Sequence, residues 1–246
     1  MHPITEIVDY SDERGNSIRC LGAVGAPGKV SVSFKGSGNT LTLQPGAAFN
    51  HLKIDFEGDG GSVDIGRPHQ NSKHSLRMRL GHYSHIVIGP NCSEEAEVYF
   101  AVAEGCTITV GSDVMFASRN QVRATDTHAI YDLAGGARVN PSADVVIGNH
   151  VWFAVEAVVL AGSSIGDNSV IGFRALVAGN IPANVVAVGI PAKAIRTNIE
   201  WKRPVTYGFK NGPRYLGISD QSDGPDLTLL AAPSLPDESP MSPSTG

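Results

Sequence analysis

The 246 residues are enough for one large domain or two small ones, and a composition 41% hydrophobic and 17% charged is that of a soluble globular chain. The 28 glycines and only 7% aromatics fit many tight turns and argue against a helical bundle. A net charge of −5 gives no broad basic field, which argues against nucleic acid as a partner.

Residues 1–38 read as an irregular leader, partly strand-like. Met1 to Tyr10 is acidic and lacks an apolar core, so no signal peptide is expected, and no stretch approaches the ~20 apolar residues of a membrane span. A cytoplasmic location is the expectation. Gly22 to Gly28 is glycine-rich but has no following helix or later acidic partner, so it does not read as a dinucleotide loop. Cys20, Cys92 and Cys106 have no metal spacing and read as small buried side chains in a reducing compartment. His69, His74, His82 and His85 read as surface histidines rather than zinc ligands.

Leu43 to Ile54 and Ser62 to Gly66 look like worn copies of a repeat that becomes clear downstream. Ile88-Gly89-Pro90-Asn91-Cys92-Ser93 is one copy, and Val110-Gly111-Ser112-Asp113-Val114-Met115 another. From Ile147 the chain reads in sixes: IGNHVW, FAVEAV, VLAGSS, IGDNSV, IGFRAL, VAGNIP. Ile147, Phe153, Val159, Ile165, Ile171 and Val177 open the blocks. The fifth places hold Val151, Ala157, Ser163, Ser169, Ala175 and Ile181. A short strand plus a turn makes one flat side, and three sides close a rung of about eighteen residues. Openers and fifth places then face inward, and glycine at the second place serves turns that need φ > 0. One rung cannot bury a core alone, but stacked rungs can. The predicted fold is all-β: a left-handed parallel β-helix, or hexapeptide-repeat solenoid, over 39–198, an exception to the usual right-handed crossover.

The rhythm breaks once, between Val122 and Val145. An insertion this long in a solenoid reads as a protruding functional loop, residues 123–144. After Gly189 the coil ends in a short helix or extended cap, with the cap region taken as 199–218. Residues 219–246, rich in Ser, Pro, Asp and Gly, read as a disordered tail.

Asp126-Thr127-His128-Ala129-Ile130-Tyr131-Asp132, Asn140-Pro141, Val146 to Trp152 and Gly189-Ile190-Pro191-Ala192-Lys193-Ala194-Ile195-Arg196 together resemble the hexapeptide-repeat acetyltransferases. The pattern is most like that of bacterial capsular polysaccharide and polysialic acid O-acetyltransferases. The resemblance covers about 105–203 well and the earlier part loosely. It implies an acetyl-CoA-dependent O-acetyltransferase acting on a sugar or glycan hydroxyl, with His128 as general base. The chemistry agrees: a hydroxyl attacks a thioester only as its proton is removed, and neutral imidazole is the side chain suited to that task at pH 7. Asp126 or Asp132 would hold the imidazole, and the residues leave that choice open. Trp152 matches a tryptophan of the polysialic acid enzymes' active site, or else serves the core or a subunit interface.

The resemblance also implies a homotrimer with active sites between subunits. Donor-binding positions fall on Ala154, Val155, Phe173, Ala178, Gly179, Lys193 and Arg196. The family's usual Trp-Ile-Gly reads Trp152-Phe153-Ala154, a small residue is Phe173, and a Thr-Lys pair is Ala178-Gly179. A lysine contact is thereby lost, which shifts weight to Lys193 and Arg196. The related simple-sugar enzymes carry an acceptor-binding Asn near position 98, where none stands here. Glu97, Tyr99, Arg119 and Asn140 are the candidates for that role. The rival readings are acetyl transfer to a small molecule (an antibiotic, simple sugar or amino sugar), a metal hydratase of the γ-carbonic anhydrase type, and a non-catalytic assembly coil. The histidine spacing does not reproduce the hydratase ligand pattern, so no metal is expected.

Overall fold

The six block openers are all 2% exposed or less, and the six fifth-place residues are buried with them. In the computed structural model, which describes residues 2–25 and 28–204, these side chains line the inside of a parallel β-helix. The described residues up to Lys202 form one compact unit. Residues 205–246 lie outside the described residues, and with them the expected tail and most of the expected cap. No helix occurs among the described residues.

The coil has three faces. A nine-stranded sheet runs from Tyr10–Ser11 and Ser17–Cys20 through His85–Ile88, Thr107–Val110 and Val145–Ile147 to Asn180–Ile181. A second, seven-stranded sheet runs from Lys29–Phe34 through Phe49–Phe56, His74–Leu80, Val98–Val102 and Gln121–Arg123 to Leu176–Val177. The third has six strands, among them Met115–Phe116, Trp152–Phe153, Val170–Ile171, Val185–Val188 and Lys193–Thr197. Like residues stack in register from rung to rung. Val32, Ile54, Met78, Phe100, Val122, Val159 and Val177 form one such inner row on the second face. Phe116 and Phe153 stack at 4.7 Å between ring centroids with planes 10° apart. Each fully buried ring contributes roughly 3 kcal/mol of burial.

Four details differ from the sequence expectation. The coil begins inside the supposed leader: Ser17–Cys20 pairs in parallel with Thr40–Leu43, and Lys29–Phe34 with Phe49–Phe56. Lys29–Phe34 and Phe49–Phe56 reach six and eight residues and alternate inward and outward, so they carry a period of two rather than six.

The second-place glycines are not the positive-φ residues. That conformation belongs to the fourth place, where His150, Glu156, Gly162, Asn168 and Arg174 have φ between 52° and 74°. The left-handed bend turns an N–H toward the coil below: His150 N donates to Ser112 O, Glu156 N to Ser118 O and Arg174 N to Val155 O. The second-place glycines answer to space instead. A Cβ on Gly166 would lie 2.4 Å from the Ala183 nitrogen, and one on Gly148 2.9 Å from the Asp167 nitrogen.

The sixth block also slips. Ile181 pairs with Ile165, an opener, because the last rung is two residues short and turns at Gly179 with φ +135°. The segment after Gly189 takes the extended one of the two forms expected: Lys193–Thr197 lies antiparallel on Val185–Val188.

His74 is not a surface histidine. Its side chain and that of Glu94 are completely enclosed, with Nδ1 3.1 Å from Glu94 Oε2. Nε2 faces the Gly66 carbonyl at 3.1 Å. Burial alone disfavours the imidazolium, but the Glu94 carboxylate and the Gly66 carbonyl outweigh it and raise the pKa.

Candidate active site

The loop leaves the second face after Arg123 and rejoins the first face at Val145. It folds on itself as a short hairpin. Tyr131 bridges Arg138 in antiparallel fashion, Val139 N donates to Ile130 O, and Asp132 N to Ala137 O. Asp132 closes the turn, its carboxylate accepting the Gly135 N–H at 2.6 Å. Asn140 staples the two strands together. Its Nδ2 donates to Asp126 Oδ2 at 3.0 Å and to the His128 carbonyl at 2.9 Å, and its Oδ1 accepts the Ile130 N–H at 2.7 Å. Asn140 was a candidate for the acceptor, but its amide is engaged within the loop.

The His128 ring itself is exposed and meets no hydrogen-bond partner among the described residues. Asp126 and Asp132 bind Asn140 and Gly135 respectively, and neither is bonded to the imidazole. Among the described residues Asp126 is tied to His128 through Asn140.

Sequence reasoning missed the group that anchors this loop. Glu104, on the turn before Thr107–Val110, accepts Arg138 Nη1 at 2.6 Å and the Ser142 N–H at 3.0 Å. The Arg138 hydrogen bond is the main reason its carboxyl is held down at about 2. Arg138 Nη2 also donates to the Asn140 carbonyl. A lone Glu bonded across more than thirty residues leaves no local mark in the sequence. A cavity of about 110 Å³ lies at the foot of the loop, lined by Arg79, Ala101, Glu104, Thr125 and Thr127 among others.

Trp152 stands on the third face, in register with Met115 and Val170, and is 36% exposed. Its ring lies 6.0 Å from that of Trp201, which packs back on the coil. Trp152 rises from the third face and His128 from the loop, with no hydrogen bond or ring contact joining them among the described residues. Glu97 is held by His51 at 2.7 Å, and Arg119 by Glu156 at 2.8 Å. Tyr99 faces outward on the second face, with Arg77 and Arg123 over its ring.

The donor-binding candidates gather toward the C-terminal rungs. Ala154 has both backbone groups engaged, N to Ile171 O and O to the Asn120 amide. Val155 gives its carbonyl to Arg174 N, which leaves its N–H as the open donor among the described residues. Phe173 is exposed, with the Arg174 guanidinium 4.9 Å from its centroid. Ala178, Gly179 and Lys193 share the walls of a cavity of about 130 Å³. Arg196 is exposed three residues further along the same strand. No three His, Cys, Asp or Glu side chains converge as a metal site among the described residues.

No family model matches the sequence. Over 137 residues the chain is 33% identical to a polysialic acid O-acetyltransferase of Escherichia coli O1:K1 / APEC, a match covering 56% of this chain and 44% of that protein. It is 35% identical over 113 residues to the galactoside O-acetyltransferase of Escherichia coli strain K12, covering 46% of this chain and 54% of the relative. The chain thus spans about half the length of these curated relatives. Among solved structures, the polySia-specific acetyltransferase NeuO matches with a TM-score of 0.70 and 31% identity over 77% of this chain and 86% of its own. The polysialic acid O-acetyltransferase OatWY matches with a TM-score of 0.63 and 25% identity over 80% and 92%. The coil is the left-handed parallel β-helix of these enzymes, and the chain belongs to the hexapeptide-repeat acetyltransferases.

Proposed function

We propose that the chain transfers an acetyl group from acetyl-CoA to a sugar or polysaccharide hydroxyl, with His128 as general base. The observation that carries this reading is the exposed imidazole of His128, without a hydrogen-bond partner among the described residues, at the head of a loop braced by Asn140 and by the Glu104–Arg138 pair. The acceptor hydroxyl gives its proton to His128 as its oxygen attacks the thioester carbonyl. The resulting C–O bond replaces the C–S bond, and the departing thiolate of CoA takes the proton back from the imidazolium. No acyl-enzyme nucleophile is required.

The residues near the last rungs fit the donor. Lys193 and Arg196 offer cations for its phosphates. The exposed Phe173 ring offers a stacking surface for adenine, and the Val155 N–H a backbone donor for the pantetheine arm. The family resemblance implies a homotrimer with active sites between subunits, and His128 on the loop and Trp152 on the third face would be brought to one site in that assembly. A cytoplasmic location goes with this reading, since acetyl-CoA is the donor.

His128→Ala is expected to lower CoA release from acetyl-CoA plus acceptor by at least ~10²-fold. Turnover near normal in that variant sinks the base assignment. A trimeric mass that is lost together with activity supports the shared site, whereas an active monomer rules it out.

A further inference from the structure

Thr127, the residue before His128, stands in the left-handed region at φ 71°. Of the non-glycine residues with positive φ among the described residues, it alone is β-branched. A branched Cβ makes that conformation costly, and a chain keeps it only where the surroundings impose it. At the corners of the coil the same bend has a repeated reason, since the N–H reaches the coil below. The Thr127 N–H instead turns back within the loop, to Thr125 Oγ1 at 3.2 Å.

Asn140 grips the chain on both sides of Thr127. Its Nδ2 donates to Asp126 Oδ2 and to the His128 carbonyl, and its Oδ1 accepts the Ile130 N–H. Two acceptors and one donor match the two ends of a carboxamide, so the orientation of the group is fixed. An aspartate could accept from Ile130 but has nothing to give Asp126 or His128. Pro141 confines Asn140 to extended backbone. Arg138 Nη2 donates to the Asn140 carbonyl at 3.1 Å, and Arg138 Nη1 to Glu104. The grip on Thr127 is thereby fastened to the coil.

The carboxylates of Asp126 and Asp132 are bonded to Asn140 and Gly135, and neither is bonded to the imidazole. A base whose ring no carboxylate holds depends on its main chain for its place. Backbone held at 126, 128 and 130 removes freedom that would otherwise pass to the side chain. Such freedom matters, because a misplacement of about 1 Å costs on the order of 10²-fold in rate.

We propose that Asn140 is a positioning residue: its amide keeps Thr127 in the strained left-handed turn and so sets where the His128 imidazole stands. The inference rests on the proposed acetyl transfer for its effect on rate, but not for the conformation. It is therefore tested in two ways on the full chain. With labelled threonine, the three-bond HN–Hα coupling and the Cα shift of Thr127 report by NMR whether φ is positive. Turnover is followed as CoA release from acetyl-CoA, with an oligosialate and a galactoside as probe acceptors.

Asn140→Ala is expected to abolish the left-handed signature of Thr127 and to lower kcat at least ~10-fold, with KM for acetyl-CoA within ~2-fold of the parent's. Asparagine adopts positive φ readily, so a Thr127→Asn chain needs the grip less. The loss in kcat caused by Asn140→Ala is therefore expected to be at least ~3-fold smaller in the Thr127→Asn background than in the parent. A merely structural role for Asn140 gives equal losses in the two backgrounds, and that result overturns the inference. Positive φ retained at Thr127 in Asn140→Ala overturns it as well, as does kcat near the parent's in that variant. If the parent acetylates neither probe, or His128→Ala turns over as the parent does, the proposed reaction falls, and the Thr127 signature alone decides the grip.

Discussion

Trp201 lies flat on His150, with ring centroids 4.0 Å apart and planes 7° from parallel. The contact is reciprocal: Trp201 Nε1 donates to the His150 carbonyl at 2.8 Å, and His150 Nε2 donates to the Trp201 carbonyl at 3.1 Å. His150 Nδ1 sits 2.6 Å from Asp113 on the preceding coil. The segment also holds by Asn168 Nδ2 to the Ile199 carbonyl. Its indole backs Trp152, so a distant stretch of sequence fixes the surroundings of a proposed active-site ring. The chain has two tryptophans, which makes Trp152 its own reporter. Trp201→Ala is expected to shift the remaining emission to longer wavelength and to lower stability by roughly 3 kcal/mol. Emission unchanged from a Trp201→Phe control would show that the segment does not cover Trp152.

The enclosed His74–Glu94 pair predicts a loss of stability on the alkaline side. The folded pKa of His74 is raised. Its contribution is therefore complete below the unfolded value near ~6.5 and disappears as pH rises through the folded value. Melting temperature is expected to fall over that window in the parent chain and to stay flat across it in His74→Gln. Removing one partner of an enclosed pair costs roughly 3–5 kcal/mol, so the variant should also melt lower throughout.

Glu104 gives the opposite sign. Its folded pKa is lowered from the usual 4.5 to about 2. The anchoring of the loop is complete above the usual value and is lost as pH falls through the folded one. Amide exchange of 126–142 is expected to speed up as pH falls across that window, after correction for the intrinsic rate. In Glu104→Gln it should be fast already at neutral pH, with the melting temperature of the coil little changed. Acetyl transfer should drop in that variant through looser placement of His128.

Two glycines of neighbouring hexads should respond differently to replacement. Gly166→Ala puts a methyl against the Ala183 backbone, and a loss of about 1–3 kcal/mol is expected. Gly162, at φ +74°, has only the Ala143 Cβ within 4 Å of an added carbon, at 3.6 Å. Gly162→Asn, which tolerates that φ, should be close to neutral in thermal unfolding. Equal losses at both positions would contradict the division between space and conformation.

The hexads made the core legible because burial in this fold recurs with the chain's own count. Ile147, Phe153, Val159 and Ile171 could be placed inside without any knowledge of their neighbours. The slip at Ile181 was not legible, since it depends on how tightly the chain turns at Gly179. Lys29–Phe34 escaped because a strand of period two looks the same in any sheet. The loop announced itself by breaking the rhythm. Its anchor did not, because Glu104 and Arg138 meet only once the coil has brought them together.

Both ends of the described coil carry strands that run backwards. Tyr10–Ser11 lies antiparallel on Ser17–Cys20, the Ile4 backbone exchanges hydrogen bonds with Val32, and Lys193–Thr197 lies antiparallel on Val185–Val188. A parallel solenoid is a template that a second copy can lengthen indefinitely, end to end, as a fibre grows. The reversed strands occupy those growing ends with chain of the wrong direction, and at one end with the charges of Lys193 and Arg196. On the faces they cover, these reversed strands disfavour end-to-end addition of another parallel coil.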